Sequence, residues 1–224
     1  LSIGCSPTKS GFSGRRRAGR PLDAAKRQAI IETASHLFFH NGYAATSIEQ
    51  VAADAGVSKV TIYNQFGDKR ALFAAAVECE CEKMRGHFSL EAMPQGTIRD
   101  RLTAIGEAVV AFLFRPEMTR FDRRIAAETE HEPAIGAAFL EAGPRRMKRA
   151  FAAWLQHAHA SGDLAIADAE LAAEQFVSLC KGMGDLEHRF GTDVTPESCR
   201  SRIDGAVRLF LAAYGTAPRG DDDR

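Results

Sequence analysis

No apolar run in this chain of 224 residues approaches the roughly 18 consecutive residues that a membrane span needs, and no amino-terminal segment reads as a signal peptide. The expected location is the cytoplasm, with no membrane partner. Strict apolar–polar alternation is missing too, which argues against amphipathic strands and leaves helices. The five cysteines form no C-x-x-C pair: Cys5, Cys180 and Cys199 stand alone, and Cys79 and Cys81, two apart on a predicted helix, point to different faces. That pattern excludes an extracellular disulfide scaffold. It leaves small thiols in a reducing cytosol, or redox sensing at Cys180 or the Cys79–Cys81 region. Neither a glycine-rich phosphate loop nor a nucleophile motif is present, so neither catalysis nor a cofactor is expected. His36 and His40 have a metal-capable i, i+4 spacing, but Leu37, Phe38 and Phe39 between them supply no glutamate for an H-E-x-x-H motif. Glu128, Glu130, His131 and Glu132 read as a solvated helix end or as a cation site. No metal ligand set is assigned.

What is there is concentrated in residues 47–73, SIEQVAADAGVSKVTIYNQFGDKRALF. Ile48, Val51, Ala52 and Ala55 recur at i, i+3, i+4 and i+7, the buried stripe of a short amphipathic helix. Thr46 and Ser47 each stand three residues before an acid or amide (Glu49, Gln50), so either can cap it. Gly56 can adopt the positive φ of a tight turn, and Val57 can fill the angle between two helices. Ser58 then caps a second helix whose Ile62 and Phe66 face inward. This is a helix-turn-helix. Lys59, Val60, Thr61, Tyr63 and Asn64 are left pointing away from the core. A cation, a hydroxyl, a phenol, an amide and a small apolar group together can donate to phosphates, meet base edges and touch a thymine methyl. Asp68 is placed to cap the next helix, with Lys69 in its first turn, where backbone N–H groups and an ammonium can share a phosphate.

The run from about Lys26 to Phe73 resembles the DNA-binding domain of the TetR/AcrR family of bacterial transcription regulators. The resemblance is carried by Ile30–Ile31, Ala34, Leu37–Phe38, Gly42–Tyr43, Thr46–Ser47, Val51–Ala52, Ala55–Gly56–Val57–Ser58, Thr61, Tyr63, Phe66, Lys69 and Leu72. Two positions depart from the family pattern: Val60, where a smaller residue or proline is common, and Gln65, where tyrosine or histidine is usual. The stretch from Glu132 to Leu179 is similar to the AefR-like subgroup in a looser way. The resemblance implies an all-α fold of about nine to ten helices, in which an N-terminal three-helix helix-turn-helix domain precedes a C-terminal helical effector-binding and dimerisation domain. It also implies a homodimer on a palindromic operator in double-stranded DNA, repression by default, and release by a small effector. A metal- or redox-responsive regulator of the same fold, or an activator, is the alternative.

Charge is unevenly placed. Residues 1–70 hold ten Lys/Arg against five Asp/Glu, and the remainder nineteen against twenty-four, so the two parts carry +5 and −5. A basic head on an acidic body suits a DNA reader. Residues 1–21 are expected to be a disordered basic arm whose Arg15, Arg16, Arg17 and Arg20 either track phosphates or enter the minor groove, or else only solubilise. The head is assigned to 22–67, a connecting helix to 68–92, the body to 93–215 and an acidic tail to 216–224.

In the body, helices are predicted over 97–114, 116–131, 134–142, 144–161, 168–190 and 196–214, with stops at Pro116, Pro133, Gly143–Pro144, Gly162 and Gly191. Ile203, Ala206, Val207, Phe210, Leu211 and Tyr214 form one 3.6-period stripe, and Phe176, Leu179, Cys180 and Met183 another. By the resemblance, Phe176, Leu179, Ile203, Val207, Phe210, Leu211 and Tyr214 are assigned to a dimer interface, the alternative being internal core. Phe112, Met118, Phe121, Trp154, His157, Phe176 and Met183 are taken as effector contacts. Phe114, Phe139 and Phe151 complete the bulky set, which favours an apolar or aromatic ligand.

Overall fold

The computed structural model describes residues 21–85 and 96–216. The arginines of the basic arm, the end of the connecting segment and residues 217–224 of the tail lie outside the described residues. Among the described residues ten α-helices follow one another: α1 (Pro21–Asn41), α2 (Ile48–Asp54), α3 (Lys59–Phe66), α4 (Lys69–Arg85), α5 (Ile98–Leu113), α6 (Pro116–His131), α7 (Pro133–Ala142), α8 (Pro144–Ala160), α9 (Ala169–Arg189) and α10 (Pro196–Tyr214). The fold is all-α, as expected.

Local chemistry sets the helix boundaries. Proline occupies the first turn of α6, α7, α8 and α10, where its missing N–H costs nothing. Thr97 and Asp100 form a reciprocal capping box at α5. Asp168 and Thr195 accept the orphan N–H groups of Leu171 and Ser198 at α9 and α10.

Two apolar cores form, and the division between them is not the division between head and body. The first gathers Ile30, Phe38, Val51, Ile62, Leu72 and Phe73 of the head, and continues into Met118, Phe121 and Ile125 of α6 and Ile135 of α7. Phe39 stacks on Phe121 with ring centroids 4.0 Å apart. Phe121 therefore fastens the head to the body and is not an effector contact. The second core holds Leu102, Ile105, Phe151, Trp154, Phe176, Ile203, Val207 and Phe210. Helix α4 is tied to the body by Arg146, which reaches Glu82 at 2.9 Å and Glu78 at 3.6 Å.

The expected dimer stripe is corrected by burial. Phe176, Ile203, Val207 and Phe210 retain at most 3% of their surface within a single chain, and Phe176 meets Phe210 edge-on at 5.2 Å. Leu211 and Tyr214 pack against the same core, and Tyr214 Oη donates to Gln175 Oε1 at 2.6 Å. These residues join α9 to α10 of their own chain. Of the expected interface residues Leu179 alone is exposed, and it belongs to an outward stripe with Met183, Leu186 and Phe190, and with Leu209 on α10.

Candidate nucleic-acid interface and body cavity

The turn between α2 and α3 has the geometry its sequence demands. Ser47, not Thr46, caps α2 by accepting from the Gln50 N–H. Thr46 is buried, and its hydroxyl donates to the carbonyls of Gly42 at 2.8 Å and Leu37 at 3.2 Å. It braces the turn and cannot reach a duplex. Gly56 takes φ 64° in the turn, a conformation open to glycine at no steric cost. Ser58 Oγ accepts the Thr61 N–H at 3.1 Å and pairs with Thr61 Oγ1 at 2.9 Å.

With Ile62 buried as the anchor of α3, the helix turns Lys59, Val60, Tyr63 and Asn64 to the outside, Val60 65% and Tyr63 49% exposed. An exposed valine and phenol side by side have no packing role here. Thr61 is half-buried. Gln65 turns inward: its Oε1 is shielded from solvent, and its backbone carbonyl accepts from Arg27. Lys59 holds Glu49 at 2.5 Å, which pushes the ammonium up and the carboxyl down from their ordinary values. Both groups are exposed, so this pair is open to exchange with a phosphate.

Lys69 does not project as expected. Asp68 does cap α4, accepting the Ala71 N–H at 2.7 Å. But Lys69 Nζ lies 4.3 Å over the Tyr43 ring and donates to the Ala44 carbonyl at 3.4 Å, and burial lowers its pKa.

The turn at 42–44 is also where the body grips the head. Glu128 Oε2 accepts the Ala44 N–H at 3.1 Å, Arg124 donates to the His40 carbonyl, and Glu132 meets Arg70 at 3.1 Å. Glu128 and Glu132 of the polar cluster thus hold the head, while Glu130 and His131 are exposed, and His36 and His40 stack on each other at 4.2 Å. Among the described residues no three His, Cys, Asp or Glu side chains converge on a metal position.

A cavity of about 700 Å³ lies between α4, α5, α6, α7, α8 and α9, with Phe39 of α1 closing one side, within the size range of small-molecule sites. Its apolar wall includes Phe39, Val109, Phe112, Met118, Phe139 and Phe151. Of the expected effector contacts, Phe112 and Met118 line it. The others do not: Trp154 and Phe176 pack in the second core, while His157 and Met183 face outward. Asp122 of α6 lines the cavity unforeseen. Burial pushes its carboxyl up to about 6, against the pull of Arg189 and Lys181 and with the push of Asp185. Cys81, also in the wall, is pushed up to about 11 by burial, and Cys180 to about 12. Thiols held so far from ionisation make poor redox sensors.

Comparison with known proteins agrees with this geometry. Residues 30–76 match the profile of bacterial regulatory proteins of the tetR family, and residues 100–216 match the C-terminal domain of AefR-like transcriptional repressors. The chain belongs to the TetR family.

Solved TetR-family structures share its architecture. A regulator from Mesorhizobium loti superposes with TM-score 0.73 at 27% identity, covering 88% of this chain and all of its own. The flavonoid-responsive regulator FrrA superposes with TM-score 0.67 at 31% identity, with the same coverage. The transcriptional activator FasR of Mycolicibacterium smegmatis is 32% identical over 101 residues, which are 45% of this chain and 46% of FasR. As a TetR-family member the chain is a DNA-binding transcription regulator, a class without catalytic activity. Among the described residues no helix is long and apolar enough to cross a membrane.

Proposed function

We propose that this TetR-family chain acts as a homodimeric repressor that holds a palindromic operator and leaves it when a small apolar or aromatic molecule fills the body cavity. The observation that carries this reading is the double duty of α6. Its Met118, Asp122, Ile125, Ala126 and Thr129 line the cavity, while its Arg124 and Glu128 hold the turn after α1. A ligand that favours one position of α6 therefore favours one position of the head. Coupling of a few kcal/mol is enough to empty an operator, provided the ligand binds the DNA-free geometry more tightly.

Three further observations support it. The free face of α3 offers Lys59, Val60, Tyr63 and Asn64 to a major groove. The outward stripe Leu179, Met183, Leu186 and Phe190 is a large exposed apolar surface that a second copy would cover. FrrA, similar across its full length, is named for its response to flavonoids, which are planar aromatic molecules of a size that suits the cavity.

Footprinting of the purified chain on fragments selected from its own genome tests the reading. Two protected half-sites related by dyad symmetry are expected, with protection lost on adding the effector. A single half-site bound by a monomer, or an effector that enters the cavity and leaves operator affinity unchanged, overturns it.

A further inference from the structure

The cavity wall contains one unanswered polar group. Its charged side chains are three acids (Glu80, Asp122, Glu174) and three cations (Lys148, Lys181, Arg189), so the lining carries no net charge. Most of these are answered within the protein. Lys148 lies 3.6 Å from Glu174, Arg115 lies 3.8 Å from Glu80, and Lys181 and Arg189 both hold Asp185, at 3.1 and 3.2 Å. Asp122 is different: among the described residues no hydrogen bond or close ion pair engages its carboxylate, although Arg189, Lys181 and Asp185 act on it from a distance. A carboxylate turned into a largely apolar cavity costs free energy until something donates to it.

The surroundings narrow what that donor is. An organic cation would meet Asp122 but also approach Lys181 and Arg189. An anion would face those two but be repelled by Asp122 and Asp185. A neutral hydroxyl satisfies the carboxylate without adding charge, and the ring that bears it finds Phe112, Phe139 and Phe151 in the wall. Resting on the effector reading above, we propose that the cavity selects neutral hydroxylated aromatic compounds, with the ligand hydroxyl donating to the Asp122 carboxylate and the aromatic body lodged among the phenylalanines. Asp122 is then the residue that separates a hydroxylated ring from a bare one, because a site built to pair a hydroxyl discriminates against the analogue that lacks it.

The test is isothermal titration calorimetry at neutral pH with two probes that differ only in hydroxyl groups: flavone, and its dihydroxy derivative chrysin. Wild type is expected to bind chrysin about tenfold or more tighter than flavone. Asp122→Ala should abolish that preference, by weakening chrysin and by strengthening flavone, which no longer buries an unpaired carboxylate. Removing a buried charge leaves the fold intact, and circular dichroism of the variant verifies it. Equal affinity of wild type for both probes overturns the proposal, as does a preference that survives in Asp122→Ala. If Phe139→Trp weakens both probes in that event, the effector reading stands and only the role of Asp122 falls. Binding of neither probe also overturns the proposal. A thermal-shift series with a quaternary ammonium and a fatty acid then decides the effector reading: stabilisation by either retains it, and none by any compound removes it.

Discussion

The carboxylate of Glu128 accepts the backbone N–H of Ala44 across 84 residues of sequence, at 3.1 Å. With Arg124 on the His40 carbonyl it makes a clasp between the cavity-lining helix and the first turn of the DNA-reading head. A hydrogen bond to a charged group contributes about 1.5–3 kcal/mol. Glu128→Ala is therefore expected to lower stability by about 1–2 kcal/mol in urea denaturation and, more tellingly, to shrink the change in operator affinity that an effector produces.

Gly42 is the tightest point of that clasp. Its φ is 91°, and a Cβ there would stand 2.6 Å from Glu128 Oε1. Gly42→Ala should cost about 1–3 kcal/mol through backbone strain together with displacement of the carboxylate. The double variant with Glu128→Ala should show a smaller combined loss than the sum, since only the strain persists. A double-mutant cycle by chemical denaturation measures the difference.

Lys59 is neutralised by Glu49 in the free protein, and DNA must displace that partner. Glu49→Gln is expected to raise operator affinity most at low salt. Lys59→Ala should lower it and reduce the salt slope of binding by about one. Tyr63→Ala should weaken operator binding by about tenfold or more without altering the melting temperature, because the side chain is half exposed and packs on no core. Gel-shift titrations over a salt series report all three.

The ionisation of Asp122 makes stability depend on pH. Its carboxyl stands at about 6 in the fold, against an ordinary value of 3.8, so between those two values the folded state retains a proton that the unfolded chain releases. That contribution to stability is fully present below about 4 and is lost as pH rises through about 6, on the order of 2–3 kcal/mol. Asp122→Asn should unfold at higher urea than wild type at pH about 8, and the advantage should vanish near pH about 4.

The outward stripe of α9 supports nothing in its own chain: Met183 is 63% and Phe190 80% exposed. Met183→Glu with Phe190→Glu should leave helicity unchanged while converting a dimer to a monomer in sedimentation velocity, and operator capture should fall with it.

Much of the fold was readable from local signals. Prolines and caps fixed the body helices to within a residue or two, because a first-turn proline or a Thr/Asp cap acts on its own few neighbours. The turn at Gly56 was readable for the same reason. Faces were harder. Helix α9 is apolar on more than one side, and periodicity alone does not say which side turns inward: Phe176 did, and Leu179 and Met183 did not. The cavity was harder still, since its wall is assembled from seven helices and no sequence spacing links Phe39 to Lys181. Trp154 and Phe121, the most conspicuous bulky residues, proved to be core because large rings are where well-packed interiors gain most. Thr46 and Lys69 matched the family pattern by residue type, yet the structure spends both on the turn at 42–44.

On the head side, the clasp consists of main-chain atoms: the His40 carbonyl and the Ala44 N–H. Such a socket is blind to side-chain identity. A head of different specificity grafted onto this body inherits its chemical trigger provided it keeps a glycine at the pinch point, a ring at Phe39 to meet Phe121 and a cation at Arg70 to meet Glu132.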